Sequence, residues 1–142
     1  MKRSSGILTF TLALAMMSTM ACQFSASTAN LSSLKLSKDK GGAPETTDFA
    51  GADTIYAVAT VANAPGKVKV KGSLVAEDVP GQTAGPIPGL ETTLDFPGSG
   101  TATFNFSPPQ GGWPKGKYKV DVVMLDENGQ QKDQKSASFN VS

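Results

Sequence analysis

Histidine is absent from the 142 residues, and cysteine and arginine occur once each, at Cys22 and Arg3. With no imidazole, His-based triads, His metal ligands and imidazole general bases are excluded. A single thiol cannot close an internal disulfide or supply a Cys-rich zinc or iron–sulfur site. The lone arginine lies two residues from the start, so the rest of the chain has no guanidinium fork for bidentate phosphate or carboxylate recognition. Charged residues are only 18% of the total, and Lys+Arg and Asp+Glu nearly balance at 13 and 12. That balance offers no electrostatic footprint for nucleic acid.

What the chain does have begins at its N-terminus. Lys2 and Arg3 form a positive n-region, and Ile7 to Met17 is an uncharged apolar stretch of about eleven residues. This is the pattern of a secretory signal, too short to span a bilayer permanently. The segment Thr19-Met20-Ala21-Cys22 resembles the lipobox of bacterial lipoproteins, although Thr19 and Met20 stand where that family has Leu and a small residue. The resemblance implies a signal peptide over residues 1–21, lipid (palmitate-type acyl chains) on Cys22, and membrane attachment through that lipid. Two or three acyl chains, at about 0.8 kcal/mol per buried CH₂, hold a protein stably where one chain would not. Gln23 is not the Asp that resembles an inner-membrane retention signal, which favours the outer membrane or cell surface. The alternative is ordinary cleavage after Ala21, or later after Ala29, leaving a soluble secreted or periplasmic protein. Loss of Lys2 and Arg3 leaves 11 cations against 12 acids, a net charge of −1 before terminal groups are counted.

From Gln23 to about Thr47 the chain is rich in Ser, Thr, Lys, Gly and Ala. Residues 22–47 are expected to be a lipid-anchored flexible linker, with a first edge strand around Leu34 and Leu36 as the competing reading. Residues 48–142 are expected to form one domain. Gly and Pro together number 24, which favours many turns between short extended segments.

Period-two alternation begins at Thr54. Thr54 to Asn63 is apolar on both faces and reads as a central strand. Lys67 to Glu77 puts Val68, Val70 and Leu74 on one face and Lys67, Lys69 and Lys71 on the other. Residues 78–90, with three prolines and three glycines, read as a loop or sheet-crossing connection. Strands resume at Glu91 to Phe96, with Leu94 and Phe96 inward, and at Thr101 to Ser107, with Ala102, Phe104 and Phe106 inward. The Pro97–Gly100 joint between them reads as a hairpin turn. Lys117 to Leu125 sets Tyr118, Val120, Val122 and Met124 on one face, and Asp126-Glu127-Asn128-Gly129 carries the Asn-Gly signal of a hairpin. Ser136 to Ser142 completes the series, with Ala137, Phe139 and Val141 inward.

Six clear strands, and a seventh at Leu34 or Phe49, predict an all-β, immunoglobulin-like antiparallel β-sandwich. The segment Gly112-Trp113-Pro114-Lys115-Gly116-Lys117-Tyr118-Lys119-Val120 resembles the lead-in to the penultimate strand of bacterial Ig-like and fibronectin-type-III-like modules. That resemblance implies a tyrosine corner, in which the Tyr118 hydroxyl bonds back to the backbone.

Candidate chemistry is sparse. The acidic pairs Glu77-Asp78 and Asp126-Glu127 lie at a strand end and in a turn, where solubility explains them, and no catalytic residue is assigned. No cofactor or metal is expected, and an enzymatic role is not. Trp113, between Gly and Pro, is either an exposed platform for a sugar ring or peptide, or an indole packed beside Tyr118 or Pro108. Lys67, Lys69, Lys71, Lys117 and Lys119 would line a basic stripe for anionic headgroups or polysaccharide if their strands are neighbours, or are simply a solvated strand face. The leading expectation is a non-enzymatic, membrane-tethered binding or structural module of the cell envelope whose partner is an unknown envelope protein or glycan. Carbohydrate or cell-wall polymer binding through Trp113 and the lysines is the alternative. A proteinase inhibitor using the 78–90 loop is a further one.

Overall fold

The computed structural model describes residues 29–142; the signal segment and Cys22 lie outside the described residues. Eight strands form two sheets: β1 (Asn30–Ser37), β2 (Asp48–Phe49), β3 (Ile55–Ala62), β4 (Val68–Asp78), β5 (Gly85–Phe96), β6 (Gly100–Phe106), β7 (Gly116–Leu125) and β8 (Gln131–Val141). One sheet has the order β1-β3-β6 and the other β2-β8-β7-β4-β5. All pairings are antiparallel except that of β2 with β8. The chain changes sheet at every connection except β4–β5 and β7–β8. This is the crossing pattern of an Ig-like β-sandwich.

The alternation read from sequence becomes the core. Val68, Val70 and Leu74 of β4, Ala102, Phe104 and Phe106 of β6, and Tyr118, Val120, Val122 and Met124 of β7 are all buried between the sheets. They join Ile55, Ala57, Ala59 and Val61 of β3 and Phe139 and Val141 of β8 in one cluster. β3 is the central strand of its sheet, as its two apolar faces predict.

Three expectations need correction. The stretch assigned to a flexible linker contains β1, which pairs with β3 along its whole length and buries Leu31 and Leu36. The sandwich therefore starts at Asn30 and not at residue 48. The edge-strand reading around Leu34 and Leu36 is the one the structure takes; the periodicity is weak because serines and a lysine fill the other positions, and a register shift between Leu31 and Ser33 breaks the alternation. Both Leu34 and Phe49 mark strands, which raises the count to eight.

The Pro97–Gly100 joint is not a hairpin. β5 pairs with β4 while β6 pairs with β3, so this turn carries the chain across the sandwich. A Pro-Gly turn has the same local signature in either role, and only the long-range pairing decides. Finally, residues 85–90 are not loop but the first half of β5. Pro86 and Gly85 lie opposite Val75 and Ala76, and a bulge over the intervening residues accommodates Pro88 and Gly89, as an edge strand permits.

The β7–β8 connection is a hairpin. The Asp126 N–H donates to the Gln130 carbonyl, the Gly129 N–H donates to the Asp126 carbonyl, and Gly129 takes the left-handed conformation, φ 79°.

Candidate functional site

The two ends of the sandwich differ. At the end where β1 begins lie the Asn63–Gly66 turn, the Pro97–Gly100 crossing and the 126–130 hairpin. The opposite end holds the C-terminus and an aromatic row. Phe49 meets Phe139 edge-on at 5.2 Å between ring centroids, Phe139 stacks on Tyr118 at 5.5 Å, and Tyr118 meets Trp113 edge-on at 6.4 Å. Such pairs add attraction beyond area burial.

Trp113 is 5% exposed. Its Nε1–H donates to the Asp53 carbonyl at 2.8 Å, and its own N–H donates to the Gly51 carbonyl at 2.8 Å. The indole thus closes the end of the sandwich beside Tyr118 and is no exposed platform. The Tyr118 hydroxyl donates to the Pro114 carbonyl at 2.6 Å, which is the tyrosine corner. Burial pushes the Tyr118 hydroxyl pKa above its ordinary value.

The five lysines do not make one stripe. β4 and β7 are neighbours but antiparallel, so Lys69 and Lys71 stand opposite Leu125 and Val123, whereas Lys117 and Lys119 stand opposite Asp78 and Val75. From Lys71 to Val75 is four residues, or roughly 13 Å of strand. Each group is also interleaved with acids. Lys71 pairs with Glu91 at 3.4 Å, Lys119 with Asp121 at 3.7 Å, and Lys69 is the register partner of Asp95. Lys67 sits with Asp95 and Glu127 around a space of about 470 Å³ at the opposite end from Trp113. The face is a mixed-charge surface, which favours solubility over capture of polyanions.

The acidic pairs are engaged structurally. Glu77 accepts a hydrogen bond from the Ser138 hydroxyl at 2.8 Å. Asp126 accepts from the Asn128 and Gln130 N–H groups and pairs with Lys132 at 3.5 Å, and its carboxyl is held below the ordinary value chiefly by the Gln130 N–H. The Asp53 carboxyl is lowered too, first by the Ala50 N–H and then by Lys38 at 3.1 Å.

What sequence reasoning missed is an apolar slot beside Trp113. Ile87, Pro88 and Leu90 from β5, Pro109 and Ser107 after β6, and Trp113 and Tyr118 border a space of about 360 Å³. Ile87 and Leu90, like Leu94 and Phe96 farther along β5, are only partly buried. The sequence signal was Ile87 and Leu90, two large apolar residues inside a stretch otherwise made of turn formers. Of the 78–90 segment, residues 85–90 belong to β5, whereas Pro80 to Ala84 form an exposed connection.

No protein family's sequence profile matches the chain, and no curated protein is similar to it in sequence. Similarity to solved structures is distant. The PmoD soluble domain from Methylocystis shares 15% identity at a TM-score of 0.44, covering 77% of this chain and 89% of that one. A Niemann-Pick type C2 protein from the Japanese carpenter ant gives 11% and 0.43, covering 80% and 92%. The alkylpurine DNA glycosylase AlkC of Pseudomonas fluorescens gives 15% and 0.47, covering 80% of this chain but 30% of the glycosylase. At these values no functional inference passes from those proteins to this chain.

Proposed function

We propose that the protein is a non-enzymatic binding module of the cell envelope, held to a membrane by lipid on Cys22. The observation that carries the proposal is the polarity of the sandwich. Its first strand starts at Asn30, and the apolar slot beside Trp113 opens near the other end. Asn30 lies eight positions after Cys22 in sequence, a span that even fully extended reaches no more than roughly 28 Å. A lipid at Cys22 would therefore hold the β1 end toward the membrane and present the Trp113 end away from it. Cleavage after Ala29 would instead remove a buried core residue and start the mature chain on the first residue of β1.

The test is fractionation with palmitate labelling in the native host. The wild-type chain is expected to carry label and sediment with membranes, and Cys22→Ala to lose label and appear in the soluble fraction. Equal labelling and partitioning of the two would refute the tether.

A further inference from the structure

The β7–β8 hairpin carries the chain's sole Asn-Gly pair, Asn128-Gly129. Asn128 is exposed, and among the described residues its carboxamide has no hydrogen-bond partner. Gly129 has no Cβ, and nothing lies within 4 Å of where one would stand. Its amide nitrogen is therefore sterically open to the carboxamide carbon of Asn128. The other described asparagines, Asn30, Asn63, Asn105 and Asn140, are followed by Leu, Ala, Phe and Val, whose side chains crowd the same approach.

Asp126 opposes that approach. Its carbonyl accepts from the Gly129 N–H at 3.1 Å, and its carboxylate accepts from the Asn128 and Gln130 N–H groups at 2.8 and 2.9 Å. One residue thus holds three successive amides, and Lys132 holds its carboxylate in turn at 3.5 Å. For attack, the Gly129 nitrogen must lose its proton and turn toward Asn128 Cγ, which breaks the first of these bonds.

We propose that Asn128 is a self-modifying site, converted to aspartate and isoaspartate at a rate governed by the hold of Asp126 on the turn. The deprotonated Gly129 nitrogen forms a bond to Asn128 Cγ, and the Cγ–Nδ2 bond breaks, releasing ammonia and leaving a succinimide ring. Water then adds to one of the two ring carbonyls. Opening the Cγ–N bond gives aspartate, and opening the bond from the Asn128 carbonyl carbon gives isoaspartate, with the main chain running through Cβ and Cγ. The net exchange is one water for one ammonia, so no oxidant, reductant or other co-reactant is needed.

Either product adds a carboxylate beside Asp126 and Glu127, where residues 126 to 128 border one hollow with Lys67 and Lys132. Isoaspartate also lengthens the main chain by one carbon within the connection that sets the Leu125–Gln131 pairing. Hairpin register depends on loop length, so this product is expected to loosen the adjoining end of the β7–β8 ladder.

The test is ageing of the full chain in mildly alkaline buffer, followed by peptide mapping for the amide-to-acid mass shift and by isoaspartate detection. Conversion is expected at Asn128 and at no other described asparagine, and at least tenfold faster in urea than in the folded chain. Asp126→Ala, with a cooperative melt confirming its fold, is expected to convert at least threefold faster than wild type. Asp126→Asn keeps an oxygen acceptor at the same place and is expected to stay near the wild-type rate. Absence of conversion at Asn128 in both the folded and the unfolded chain would overturn the site. Equal rates in folded and unfolded chains, or in wild type and Asp126→Ala, would overturn the control by Asp126.

Discussion

Phe104 on one sheet rests against the backbone of Gly72 on the other, so closely that a Cβ on Gly72 would stand 2.6 Å from Phe104 Cδ1. Glycine in the middle of a strand weakens it unless another group needs the space, and here an aromatic ring does. Gly72→Ala is expected to destabilise by about 1–3 kcal/mol through overpacking. Phe104→Leu in the same chain should recover part of that loss, giving a non-additive double-mutant cycle by chemical denaturation.

Trp113 and Tyr118 close the far end through two backbone contacts, to Asp53 and Pro114. Trp113→Phe and Tyr118→Phe each remove one hydrogen bond and are expected to lower stability by about 1 kcal/mol. Trp113→Ala, which also empties the packing beside Tyr118, is expected to lose about 3–5 kcal/mol. Because Trp113 is the sole tryptophan, its emission should be blue-shifted in the folded protein and report unfolding directly.

The Leu31 N–H donates to Asp133 Oδ2 at 2.8 Å, joining β1 to β8 at the point where the β1 register shifts. Asp133→Ala is expected to cost about 1.5–3 kcal/mol, in the range of hydrogen bonds to charged groups. Hydrogen exchange should localise the loss, with the Leu31 amide exchanging faster and the β7 amides unchanged.

The pH profile follows from three groups. Asp53 and Asp126 have folded-state values below that of an unfolded carboxylate, about 3.9. Their contribution is present above that value and is lost as pH falls through the lower folded value. Tyr118 is raised by burial, so its contribution is complete below about 10 and is lost as pH rises through the higher folded value. With no histidine, the melting temperature should be flat from about pH 5 to 9 and fall on both sides. A transition centred between pH 6 and 7 would contradict this.

The core was legible because its inward residues are apolar at strict period two. That holds for Val68, Val70 and Leu74, for Ala102, Phe104 and Phe106, and for Tyr118 to Met124. Legibility failed where strands run along edges or out of the core. At Gln131 to Lys135 the chain is strand although every residue is polar, since register there is imposed by β7 and by the hairpin. The lysine stripe failed because direction is not readable: side chains on neighbouring antiparallel strands are far apart when both groups lie near the strand starts. The slot was hidden for a related reason. Its walls, Ile87 and Leu90 against Trp113, come together only through pairing that no local pattern encodes.

The most direct test of a membrane-held sandwich is the intact mass of the mature protein isolated from its native host. A chain beginning at Cys22 and carrying acyl-chain mass on that residue is predicted. An unmodified N-terminus at Cys22, or one at Asn30, would contradict it.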